Sequence, residues 1–122
     1  MNEKKILVVD DDKDFAQLLR HDLTQKGYQV EEAYDGEEGL KRIHEDPPDL
    51  VILDVRMPGL TGEQLVHEIH RIREGLPIIV VSAFLGNTRD RENLMKKGVR
   101  KVIDKKSDQE DLLAAIAEIL GG

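Results

Sequence analysis

The chain has 122 residues and no cysteine or tryptophan, and aromatic residues make up only 3% of it. Lack of cysteine excludes disulfides, thiolate zinc sites and thiol nucleophiles. So few aromatics cannot build a stacking platform for single-stranded nucleic acid. No apolar run approaches the roughly 20 residues that a membrane-spanning helix requires. Met1 to Lys5 is polar, and the apolar run after it, Ile6 to Val9, is too short for a signal peptide. A cytoplasmic protein without a membrane partner is therefore expected. No glycine-rich phosphate loop follows the first apolar run, which argues against nucleotides and flavins. The length suits one domain over residues 1–122, with a core that needs no covalent staple.

Charge is plentiful but uneven. The net −7 lies wholly in residues 1–60, with 8 Lys/Arg against 15 Asp/Glu, and residues 61–122 balance at 10 against 10. Within that neutral half, Arg89 to Lys106 carries eight basic and three acidic residues. A solvated face of mixed charge accounts for this segment, although a basic surface that meets an acidic partner would look the same.

Lys4-Lys5 leads into Ile6-Leu7-Val8-Val9 and then Asp10-Asp11-Asp12, a buried strand that ends in acid. Phe15, Leu18, Leu19 and Leu23 recur at helical spacing until Gly27. Tyr28 to Ala33 alternates loosely, as a strand near an edge does, and Asp35-Gly36 opens a helix held by Leu40 and Ile43. Pro47-Pro48 precedes Leu50-Val51-Ile52-Leu53-Asp54, an unbroken apolar run that ends on a single acid before Pro58-Gly59. Thr61 and Gln64 have capping-box spacing ahead of Leu65, Val66, Ile69 and Ile72. Ile78 to Val81 reads as a fourth strand ending at Ser82. Asn87 to Lys97 reads as a helix anchored by Leu94 and Met95, with Val99 beyond it. Val102-Ile103 is a short fifth strand running to Asp104 and Lys105. Ser107 to Glu110 caps a last helix with Leu112, Leu113, Ile116, Ile119 and Leu120 inward.

Five strands alternating with five helices imply an α/β fold: a doubly wound parallel sheet joined by right-handed crossovers. The common order for five strands is 2-1-3-4-5, the flavodoxin-like arrangement, with ligands bound at the switch between strands 1 and 3. Those strands end at Asp10-Asp11 and Asp54, so the acids are expected to meet.

Three carboxylates at one rim repel each other, and an all-oxygen donor set suits Mg2+, or Mn2+, as the neutralising ion. Ser82 and Lys105 reach the same rim with a hydroxyl and a cation. Together these groups suit a tetrahedral dianion carried on one acid, with Asp54 as a nucleophile that forms an aspartyl phosphate. An EF-hand is excluded because Phe15 stands where its loop needs glycine. A haloacid-dehalogenase-like phosphatase is excluded because Lys13-Asp14 follows Asp10-x-Asp12. Neither His67 and His70, one turn apart on the third helix, nor His21 and His44 carries an expected function; all four read as surface residues.

Across essentially its whole length the sequence resembles the receiver domains of bacterial two-component response regulators, chemotaxis-regulator-like proteins. The matching segments are Ile6 to Asp11, Asp54 to Gly62, Val80 to Ala83 and Gly98 to Lys105. The resemblance implies a switch domain in a phosphorelay. Asp54 would accept a phosphoryl group from a phosphohistidine on a sensor histidine kinase or phosphotransfer protein. It further implies that Asp11 and Asp54 ligate Mg2+ with the Arg56 backbone carbonyl, Asp10 assisting through water. Ser82 and Lys105 would bind the phosphoryl oxygens. Such a protein is an enzyme only in catalysing its own phosphoryl transfer and autodephosphorylation. No helix-turn-helix pattern suggests direct nucleic-acid binding, and the output partner is not specified. A monomer or a weak homodimer through the fourth and fifth helices is expected.

The chain departs from the family pattern twice. Lys106 follows Lys105 where the family usually has proline, and a non-proline cis bond costs roughly 2.5–4 kcal/mol, so a trans bond is expected. Val102 stands where a switching aromatic is common. Readout is therefore expected through Ser82, the Gly86 loop and the sparsely anchored helix that follows it, with Phe84 and Arg56 shielding the acyl phosphate. The alternative is an interaction module on the same fold that works without phosphorylation.

Overall fold

A computed structural model describes residues 3–55, 61–83, 88–106 and 109–121, with the backbone alone at 88–90. Arg56, Phe84, Gly86, Asn87 and Ser107, which figure in the expectations above, lie outside the described residues. The elements are β1 (Lys5–Val9), α1 (Lys13–Gln25), β2 (Gln29–Ala33), α2 (Gly36–Glu45), β3 (Leu50–Asp54), α3 (Gly62–Ile72), β4 (Ile78–Ser82), α4 (Thr88–Lys96), β5 (Lys101–Asp104) and α5 (Gln109–Leu120). The strands form one parallel sheet in the order β2-β1-β3-β4-β5, as the sequence predicts. None of the described helices is long and apolar enough to cross a membrane.

Continuous apolar runs make the central strands because both faces of the sheet are covered. Strand side chains alternate, so each run divides between two cores. Leu7, Val9, Val51, Leu53, Ile78 and Val80 pack with Ile43 of α2, Leu65, Val66 and Ile69 of α3, and Leu94 of α4. Ile6, Val8, Leu50, Ile52, Ile79 and Val81 face Ala16, Leu19 and Leu23 of α1 and Leu112, Ala115 and Ile116 of α5. A fully buried aliphatic side chain stabilises by about 1.5–3 kcal/mol, so these two layers drive folding.

Local signals set the helix ends. Asp12 and Asp35 cap α1 and α2 by accepting the Phe15 and Glu38 backbone N–H groups. Thr61 and Gln64 complete a capping box at α3, as expected. Gly27, with φ of 97°, ends α1 in the left-handed region that glycine adopts at little cost.

Three side chains differ from expectation. Leu18 is 57% exposed, because Ala16, Leu19 and Leu23 fill the buried stripe of α1 and rotate it outward. Met95 is 46% exposed, so α4 is held by Leu94, with Val99 buried beyond it. His70 is half-buried rather than a surface residue: its Nε2 is 3.1 Å from the Leu76 carbonyl oxygen, and its ring lies beside Gly98. His21, His44 and His67 are exposed as expected.

Candidate functional site

The C-terminal ends of β1, β3, β4 and β5 build one rim. The Asp10 N–H donates to the Ala33 carbonyl at 2.9 Å, which continues the β1–β2 ladder one residue past Val9 and leaves the Asp10 side chain fully buried. Asp10 Oδ1 accepts the Asp12 N–H at 2.9 Å, a local turn that carries the chain out of the sheet and leaves Asp11 exposed. Asp12 Oδ1 then accepts the Phe15 N–H at 3.1 Å. On the neighbouring strand, Asp54 ends β3 and is 5% exposed. Ser82, fully buried, ends β4, and its carbonyl accepts the Lys105 N–H at 2.9 Å, tying the ends of β4 and β5 together.

Lys105 crosses this rim. Its Nζ donates to Asp54 Oδ2 at 2.9 Å and lies 2.7 Å from Asp10 Oδ2. The second contact is an ion pair, and the ammonium is the neighbour of a buried Asp10 Oδ2 that has no other polar partner among the described residues. Asp10, Asp11 and Asp54 each present a carboxylate oxygen within 4.8 Å of the others.

The charges at this rim do not cancel. Burial pushes the Asp10 carboxyl up to about 6; the Lys105 ammonium and the Asp12 N–H oppose that rise, and the Asp54 charge adds to it. Burial also works against the Lys105 charge, but its contacts with Asp10 and Asp54 outweigh the penalty and hold its pKa above the ordinary lysine value. Among the described residues, three carboxylates against one ammonium leave an excess of two negative charges when all are ionised. A buried carboxylate, two neighbouring carboxylates and that excess charge fit a hard divalent cation.

Asp10, Asp11, Asp54 and Lys105 therefore meet as the sequence predicts, with Ser82 at the adjoining strand end. The Phe15 contact and the hydrogen bond made by Lys106 were missed. The Phe15 ring, read only as core, lies 4.5 Å from Lys105 Nζ. Its place in the first turn of the helix leaving the acidic rim was the available signal. The Lys106 N–H donates to Asp104 Oδ1 at 2.8 Å, a bond that proline could not make. The described residues contain no cis peptide, so the Lys105–Lys106 bond is trans as expected. That hydrogen bond gives the Lys106 departure a local structural use.

A parallel 2-1-3-4-5 sheet with an acidic cluster and a lysine on its C-terminal rim defines the receiver class of α/β signalling domains. Residues 6–117 match the family model of the response regulator receiver domain, and the chain belongs to that family. Response regulator MprA of Mycolicibacterium vanbaalenii is 38% identical over 116 residues, which are 95% of this chain and 50% of that protein. The chain spans half or less of the length of the first curated relatives it matches. Among solved structures, a CheY-like response regulator receiver domain protein from Methanospirillum hungatei superposes with a TM-score of 0.92 at 30% identity, covering 98% of this chain and 95% of that one. Response regulator protein TrrA from Thermotoga maritima, solved in complex with Mg2+–BeF, superposes with a TM-score of 0.84 at 32% identity, covering 95% and 98%.

Proposed function

We propose that residues 1–122 act as one phosphoacceptor switch in a two-component phosphorelay, with Asp54 as the acceptor. The observation that carries this reading is the Lys105 ammonium held between Asp54 and Asp10 at a rim that three carboxylates share. Asp54 is a carboxylate at the end of a buried strand, 5% exposed at the rim and already paired with a cation. An Asp54 oxygen attacks the phosphorus of a phosphohistidine on a sensor histidine kinase or phosphotransfer protein. The O–P bond forms as the N–P bond breaks, and the departing imidazole nitrogen takes the electron pair and then a proton. Lys105 moves from carboxylate to phosphoryl oxygen and balances the charge that arrives, and the Ser82 hydroxyl donates to another oxygen.

Asp10, Asp11 and Asp54 would hold Mg2+, or Mn2+, with the Arg56 carbonyl as a further ligand. A bound divalent cation supplies charge neutralisation for the acids and the phosphoryl oxygens. Support for magnesium comes from the oxygen donor set and from the Mg2+–BeF complex of the Thermotoga maritima relative. The activity is self-directed, phosphoryl acceptance and slow autodephosphorylation. Its readout passes to an output partner, from a cytoplasmic, monomeric or weakly dimeric domain that does not itself bind nucleic acid.

Incubation with magnesium and acetyl phosphate, followed by intact-protein mass measurement, tests the reading. Wild type is expected to gain one phosphoryl mass and Asp54→Asn none. No gain in wild type would favour a phosphorylation-independent interaction module on the same fold, and an equal gain in both would place the phosphoryl group on a residue other than Asp54.

A further inference from the structure

We propose that Phe15 is a positioning residue for Lys105, holding the ammonium over the two buried acids through the face of its ring. The contact is a cation–π pair, with Nζ 4.5 Å from the ring centroid. It closes a circuit that begins and ends at Asp10. Asp10 Oδ1 accepts the Asp12 N–H, Asp12 Oδ1 accepts the Phe15 N–H, and Lys105 sits between the Phe15 ring and Asp10 Oδ2. The acid that pairs with the lysine thus also fixes the turn that aims the ring at it.

Packing alone does not hold Lys105 in place. Its surroundings open on a cavity of about 240 Å3, lined also by Phe15, Leu19, Val81, Ile103 and Leu112. A lysine stem next to such a space has room to swing away from the rim. The wall is largely aliphatic, with Asp104 and Gln109 as its other polar residues, and the Phe15 ring face is the part of it already in contact with the ammonium. Lys105 keeps only 11% of its side chain exposed, a degree of desolvation at which the pair is strong. The ring can follow a short movement of the ammonium from carboxylate to phosphoryl oxygen, because attraction to a π face is less directional than a hydrogen bond.

This proposal rests on the phosphoacceptor reading for its consequence, though not for its geometry. Two measurements separate them. In the unphosphorylated protein, the Lys105 ε-methylene protons should show an upfield ring-current shift. That shift should vanish in Phe15→Leu and persist in Phe15→Tyr. With acetyl phosphate, Phe15→Leu should slow phosphorylation roughly two- to thirtyfold, the range that the strength of such a pair implies. Phe15→Tyr should restore most of the rate. Once Lys105→Met has removed the cation, Phe15→Leu should cost no further rate, which marks the effect as acting through the lysine. An unshifted Lys105 resonance in wild type, or equal losses in the presence and absence of Lys105, would overturn the proposal. If wild type takes up no phosphoryl group while the ring-current shift is present, the phosphoacceptor reading fails and the positioning contact stands.

Discussion

Asp10 keeps a carboxylate fully buried beside two others, and that arrangement has a measurable sign. Its folded-state pKa of about 6 stands above the ordinary 3.8, so the folded protein binds this proton more tightly than the unfolded chain does. Stability from this group is fully present below the ordinary value and is lost as pH rises through about 6. In metal-free protein, Asp10→Asn should therefore gain on the order of 1–2 kcal/mol over wild type at pH 7 and little near pH 4. Urea denaturation in EDTA at the two pH values measures this, and an equal difference at both would contradict it. The strand-end positions of Asp10, Asp54 and Lys105 were legible in the sequence, because apolar runs that end in charge reveal where a sheet stops. The aim of the Phe15 ring was not, since the same helical spacing describes a plain core residue. Lys106 was legible as a departure, but its hydrogen bond to Asp104 depends on a turn geometry that no spacing reports.

At the scale of elements, α3 and α4 flank the rim with different firmness. α3 begins with a capping box and at Gly62 approaches the sheet closely. A Cβ on Gly62 would lie 2.5 Å from Val55 Cβ and Cγ1, one residue after Asp54. Gly62→Ala should therefore destabilise by about 1–3 kcal/mol, the cost of overpacking, and should slow phosphorylation of Asp54 by moving its neighbour. Thermal unfolding and acetyl phosphate kinetics test the two effects, and a variant with wild-type values in both would show that Val55 yields freely. α4 is held by Leu94 while Met95 points to solvent. Amide exchange in α4 should be faster than in α3 before phosphorylation and should change after it. Exchange that phosphorylation leaves unaltered would remove α4 as the moving part. Leu18 and Met95 defeated the sequence reading for one reason. Hydrophobicity at helical spacing identifies a stripe wider than the sheet can cover, and small residues such as Ala16 can take the inner position.

Considered as a whole, the molecule is two apolar layers sharing one sheet, with the charged rim at one end of it. This architecture was fully legible, because the alternation of short strands and amphipathic helices leaves few topologies open. A cation bound at the rim touches acids from two central strands, so its binding energy should appear as stability of the entire fold. At a hundred times its dissociation constant, Mg2+ should add about 2.7 kcal/mol to unfolding free energy. Asp11→Asn or Asp54→Asn should lose most of that increment. Denaturation curves with and without Mg2+ measure it, and an undiminished increment in both variants would locate the ion elsewhere. The parallel order also separates the site's parts widely along the chain: Asp10 and Lys105 lie 95 positions apart (105 − 10). Closing a contact of that sequence separation costs loop entropy and slows folding. While the chain emerges from the ribosome, Asp54 is already synthesised, but the lysine that completes its surroundings is not. A chain that stops short of Lys105 therefore holds Asp10 and Asp54 without the ammonium that pairs with both.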